Sequence, residues 1–198
     1  MSALLLSLLL FTAVTTITPG GATTLATASG LQFGFRRSIP LIAGIVVGLA
    51  SLAAAAGGGL AALIAAAPAL RLAMRLVGTV YLLWLAWKVG HGGPPVLDGK
   101  RSTKPMGFLT GLLLLLLNPK AWATTLSAAA SYSGLAASPV RLAAVVGAVF
   151  GISAVASLSL WCLGGSALAR RLRTDRQWRV LNLVLGVLLA LSTVPIWL

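Results

Sequence analysis

Lys120 is the one charged side chain in the apolar stretch from residue 105 to 140, and it directly follows Asn118 and Pro119. A lysine at membrane depth costs about 2.5 to 3.5 kcal/mol on insertion scales, so its presence there points to a function. Its ammonium suits two tasks: binding a substrate carboxylate as a point charge, or exchanging a proton during a cycle. Asn118 places a neutral donor and acceptor beside it. A second proline, Pro19, lies 100 positions earlier in Thr18-Pro19-Gly20-Gly21, within a stretch from residue 1 to 35 that carries no charge. Proline removes a helical hydrogen bond, and in a bilayer the freed backbone groups must find partners in the protein or in a water-filled cavity. Matched interruptions in two halves of a chain are the best sequence-level pointer to a transporter's binding site. The candidate substrate-binding residues are therefore Thr16, Pro19, Gly20, Gly21, Asn118, Pro119, Lys120 and Thr124, with Lys120 also the candidate for proton coupling.

Polar residues flank both interruptions at helical spacing. Lys120, Thr124, Ser127 and Ser131 follow an i, i+4, i+7, i+11 pattern, while Thr12 and Thr16 precede the first break and Thr23 and Thr27 follow it. Two blander readings stand beside the site. Threonine and serine satisfy themselves on the preceding turn, and a structural lysine would bond to carbonyls that the prolines expose. The clustering of polar residues on both interrupted segments favours a polar pathway.

The elements that must carry these residues are membrane helices. The chain of 198 residues is 59% hydrophobic and 9% charged, with a mean hydropathy of +1.01, too little polar surface for a soluble domain. About 20 residues cross the hydrocarbon, and six segments qualify, near 2–32, 38–66, 71–90, 105–133, 139–167 and 178–198. The expected fold is an all-α integral membrane protein, one transmembrane domain over 1–198 with halves of about 1–99 and 100–198. Pro40 and Pro139 each open the second helix of their half, and Gly34 falls on Gly134. Three helices per half reverse the direction of entry, which predicts a 3+3 inverted repeat with broken helices one and four. An N-terminal signal peptide is the competing reading of residues 1–20, but the first basic side chain is Arg36 and the segment lacks a positive start.

The net charge of +13 sets orientation, not nucleic-acid binding. Arg36, Arg37, Lys88, Lys100, Arg101, Lys104, Arg170, Arg171, Arg173, Arg176 and Arg179 fall between helices on one side; Arg71, Arg75 and Arg141 fall on the other. The positive-inside rule puts the eleven in the cytoplasm with a loop at about 91–104, and both termini outside the inner membrane of a bacterium. Anionic lipid heads are their natural neighbours. Three GxxxG pairs, Gly44/Gly48, Gly107/Gly111 and Gly147/Gly151, suit close packing within the bundle, with homodimer contact the lesser option.

Several chemistries are poorly served. Cys162 is the only cysteine and His91 the only histidine, which leaves no metal site, no cofactor and no thiol relay. An intramembrane hydrolase lacks a nucleophile with its base. The only carboxylates, Asp98 and Asp175, belong to loops, so no buried acid awaits a cationic substrate. A neutral amino acid or small analogue fits better. A passive channel, a non-transport membrane subunit and a lipid or glycolipid translocator are the alternatives.

Over essentially its full length the chain resembles the lysine exporter (LysE) family, including its homoserine and threonine exporter branch. The resemblance rests on Thr18-Pro19-Gly20, on Gly30 through Arg36 leading to Gly44 and Gly48, and on Arg75-Leu76-Val77-Gly78-Thr79-Val80-Tyr81-Leu82. Further matches are Phe108 through Gly111, Leu117-Asn118-Pro119-Lys120-Ala121 and Arg179 through Gly186. It implies a six-helix inner-membrane carrier that exports amino acids or related metabolites on the proton motive force. One departure stands out: the family pattern Pro-Gly-Pro-Asn reads Pro19-Gly20-Gly21-Ala22 here. The family's asparagine contacts are therefore not carried to Ala22, and the substrate is expected to differ from that of typical members.

Overall fold

A computed structural model describes residues 2–60, 67–91, 105–172 and 174–194, and every regular element among them is helical. Helix α1 spans Ser2–Ile17, α2 Gly21–Ala55, α3 Pro68–Gly90, α4 Phe108–Leu116, α5 Pro119–Ser131, α6 Pro139–Ala169 and α7 Asp175–Leu191. A π-helical turn, Ala56–Leu60, extends α2, and a 3-10 turn, Ser133–Leu135, follows α5. The expected loop at 92–104 and the segment 61–66 lie outside the described residues.

Both prolines interrupt a helix. Thr18, Pro19 and Gly20 separate α1 from α2, and Leu117 and Asn118 separate α4 from α5, whose axes differ by 64°. Each restart is capped by a side chain. Asn118 Oδ1 accepts from Lys120 N at 3.0 Å. At the first break Gly20 N donates to the Thr23 hydroxyl, which donates in turn to the Gly20 carbonyl. A side-chain oxygen over the first turn satisfies a backbone donor that would otherwise be orphaned.

Two boundaries differ from expectation. No loop separates the first two segments: α2 turns at Gly34, which has φ 76° and ψ 169°, and resumes as helix at once. Only glycine takes that conformation without steric cost, so one residue replaces the expected connection, and Arg36 and Arg37 sit on helix, exposed. For the same reason Pro40 lies inside α2 and does not open it. Pro139 does open α6, behind the Ser138 cap. Arg75 lies within α3, and Lys88 lies in its last turn, with its ammonium 5.1 Å from the Trp84 ring centroid.

Gly21–Leu60 and Pro139–Ala169 are long and apolar enough to cross a membrane, with mean hydropathy 2.3 and 2.1; the bent pair α4–α5 qualifies when taken as one broken span. The exterior is apolar. Ile152, Val155, Leu160 and Leu163 project outward from α6, whereas Thr12, Ser29, Ser38 and Thr125 are fully enclosed. Hydrocarbon is a good solvent for the first group and a poor one for the second, which explains this inversion of the water-soluble pattern.

Lipid supplies no hydrophobic drive between helices, so close backbone approach must hold the bundle. A Cβ on Gly30 would strike the Cys162 carbonyl of α6, and one on Gly165 would strike the Thr27 carbonyl of α2. The same reciprocity joins the later part of α2 to α4, where Gly44 meets the Phe108 carbonyl and Gly111 meets the Leu41 carbonyl. Each broken segment thus locks onto a helix of the opposite half. Gly48 packs on Leu112 and Leu115 of α4, and Gly147 and Gly151 pack on Ala50 and Ala54 of α2, which with Gly44 and Gly111 gives five of the six paired glycines an intramolecular role.

Candidate functional site

The two breaks meet inside the bundle. The last carbonyls of a helix have no partner within it, and three carbonyls where α1 runs into its break receive donors from elsewhere. Ser157 Oγ donates to Thr16 O at 2.8 Å, Trp161 Nε1 to Ile17 O at 3.1 Å and Lys120 Nζ to Thr18 O at 3.1 Å. At the second break Asn118 N donates to Leu115 O at 3.0 Å, and Trp122 Nε1 to Leu116 O at 2.7 Å. An indole caps the end of α1 and another caps the end of α4. The structural reading of Lys120 is therefore partly realised, because its ammonium does bond to a carbonyl freed at the first break. That bond uses one of three N–H donors. Lys120 is half-buried and meets no carboxylate among the described residues.

Beside this contact lies a cavity of about 60 Å³, against roughly 10 to 15 Å³ needed to hold one water on the same measure. Six of the eight sequence-derived candidates line it: Thr16, Gly20, Gly21, Asn118, Lys120 and Thr124. Pro19 and Pro119 do not. Pro19 is exposed, and the Pro119 ring packs where a side chain on Gly78 of α3 would stand. Their contribution is the missing N–H that ends each helix. Ser127 and Ser131 are exposed, so the expected polar stripe reaches the cavity only through Lys120 and Thr124.

Thr15, Thr18 and Thr23 join the lining, as does an apolar group from α2, α4 and α6 that includes Leu49, Leu115 and Phe150. Thr15 and Thr18 were legible as neighbours of the break. Nothing in the uniformly apolar sequence of α6 marked Phe150.

Hydrogen-bond directions divide the polar groups of the cavity into donors and acceptors. The Thr15, Thr16 and Thr124 hydroxyls donate to Phe11 O, Thr12 O and Lys120 O at 2.8, 2.7 and 2.9 Å. Their hydrogens are committed, which leaves oxygen lone pairs as acceptors. Asn118 uses Oδ1 for the cap, so its amide hydrogens remain as donors, together with those of Lys120. Donors gather at Lys120 and Asn118, and acceptors along α1 and at Thr124.

An all-helical, apolar-surfaced bundle with a partly polar cavity between two proline breaks has the construction of a membrane transporter. The chain belongs to the LysE type translocator family, which it matches over residues 13–195. It is 30% identical over 189 residues, 94% of each chain, to the cysteine/O-acetylserine efflux proteins of Salmonella paratyphi A and Salmonella typhi. It is 28% identical over the same length to the protein of that name from Escherichia coli O1:K1. No solved structure matches the chain.

Proposed function

We propose that this chain exports small neutral amino acids or their close analogues across the bacterial inner membrane by alternating access around the Pro19 and Pro119 breaks. The observation that carries the proposal is the division of the polar groups of one small cavity into donors, Lys120 and Asn118, and acceptors, the threonine oxygens, with no carboxylate among the described residues that line it. A zwitterion matches both sets. A cationic side chain would stay uncompensated in a low-dielectric site, which is strongly unfavourable. The names of the relatives, efflux proteins for cysteine and O-acetylserine, favour the same size and charge class.

In this proposal six spans form one transmembrane domain of two inverted halves, 1–99 and 100–198. The first and fourth spans are the broken ones, and both termini lie outside. Supporting it, each break ends in an indole-capped carbonyl, and each broken segment packs on the second helix of the other half. The Ser166 hydroxyl donates to Gly30 O at 3.0 Å, so exposed Arg36 and Arg37 lie near the same end of the bundle as Arg170 and Arg171. Lys120 is the group through which protons couple to transport, since among the described residues no other titratable one lines the cavity.

Efflux from intact cells tests the function. Cells loaded with labelled O-acetylserine, cysteine or threonine should lose label faster with this chain than with Lys120→Ala at equal membrane abundance, and labelled lysine should show no difference. Equal efflux of all four substrates by both proteins contradicts the proposal.

A further inference from the structure

The apolar side of the cavity is built by one face of α6. Phe150, Ala154 and Leu158 follow at four-residue steps, which places them on one side of the helix; all line the cavity, at 1%, 1% and 3% exposure. The rotation of α6 about its axis is pinned by neighbouring residues. Ser153 shares a 2.9 Å hydrogen bond with Thr12, and Ser157 donates to Thr16 O. Both contacts are to α1, so these two hydrogen bonds, one of which caps the end of the broken helix, aim the Phe150–Leu158 face at the cavity. Between a phenylalanine and a leucine, Ala154 is the one short side chain on that face.

We propose that the cavity takes an amino acid in a single orientation and that Ala154 sets the size limit for its side chain. The carboxylate lies on Lys120 Nζ and Asn118 Nδ2, and the ammonium on the oxygens of Thr15, Thr16 and Thr124. The side chain then points at the gap over Ala154, between Phe150 and Leu158. This orientation rests on the exporter reading and goes further by assigning selectivity to a residue that touches neither charged group. The substrate class is an amino acid with a short side chain, such as serine, cysteine or their small esters. Leucine and phenylalanine are excluded by bulk, and amines or acids lacking one of the two head groups are excluded by chemistry. In a tight apolar pocket one methylene changes selectivity by about 10- to 200-fold.

The test is counterflow of labelled serine in proteoliposomes of the full chain. The competitors are glycine, serine, cysteine, threonine, valine and leucine, with 2-aminoethanethiol and 3-mercaptopropionate as single-headed analogues. Wild type should be inhibited by serine and cysteine, and at least about tenfold less by leucine and by either single-headed analogue. Ala154→Val should weaken threonine and cysteine while glycine keeps its apparent affinity; Ala154→Gly, which removes bulk, should admit valine or leucine with at least a tenfold gain. Monodisperse elution and an unchanged Tm establish that each variant is folded, and Ala154→Gly alone decides the matter if the valine variant does not assemble. Affinities that move together across the series, or an unchanged ranking in both variants, overturn the assignment of Ala154 and leave the exporter reading standing. Wild type that exchanges no amino acid removes both.

Discussion

Lys120 Nζ donates to the Thr18 carbonyl oxygen at 3.1 Å across 102 positions of sequence, so a side chain at the start of α5 closes the exposed end of α1. In the proposed function a substrate carboxylate takes up the ammonium's two remaining N–H donors, and a charge-assisted hydrogen bond is roughly twice as strong as a neutral one. Lys120→Gln keeps a donor and removes the charge. Hydrogen bonds to charged groups contribute about 1.5 to 3 kcal/mol, so apparent substrate affinity should fall by roughly 10- to 100-fold, read as the half-saturation of counterflow. An unchanged half-saturation, or pH-driven transport retained in full, contradicts the role given to Lys120.

The indoles of Trp122 and Trp161 each donate to a carbonyl at a break, Trp122 from the helix that restarts after it and Trp161 from α6. Trp122→Phe and Trp161→Phe each leave an exposed carbonyl without its donor, one that hydrocarbon cannot replace, at a cost of about 1 to 3 kcal/mol. Both variants should lower the Tm in detergent by comparable amounts. A loss confined to one of them would show that the breaks are not held alike.

Close backbone approach makes a sharper prediction about glycine. Gly30→Ala, Gly44→Ala, Gly111→Ala and Gly165→Ala drive a methyl into a neighbouring carbonyl, and the helices must separate to admit it. Gly164→Ala meets nothing within 4 Å and lies within α6, where alanine is favoured over glycine by about 1 kcal/mol in an ordinary helix. The first four should yield little monodisperse protein, while Gly164→Ala should match or exceed wild type in Tm.

Orientation is accessible through thiol labelling because native Cys162 is fully buried. Ala137→Cys, before α6, and Arg171→Cys, just after it, both place the thiol at an exposed position. A membrane-impermeant maleimide applied to intact cells should label position 137 and leave 171 unlabelled until the membrane is opened. The reverse pattern would invert the topology.

Much of the architecture was legible because the residues that make it obey local rules. Pro19 and Pro119 each interrupt a helix, since neither has an N–H to give, and Asn118 is a strong cap just before a helix start. The basic residues and long apolar runs likewise marked the helices with little help from context. Gly34 defeated the boundary reading, because a positive φ is invisible in sequence and one residue did the work expected of a loop. Ser127 and Ser131 were misassigned to the polar stripe, since periodicity gives the spacing of a face but not which neighbour it meets. Phe150 and Ala154 were silent for a related reason: in an unbroken apolar helix, only the hydrogen bonds of Ser153 and Ser157 to α1 reveal which side looks inward.

The measurement that reaches the central claim most directly is counterflow of labelled serine and O-acetylserine into proteoliposomes of the purified chain, with wild type and Lys120→Ala compared at equal and unequal pH. The account predicts saturable exchange by wild type, enhanced by an imposed pH gradient, blocked by unlabelled cysteine but not by lysine, and absent from the folded variant. Flux that does not saturate, or exchange that survives intact in Lys120→Ala, would contradict it.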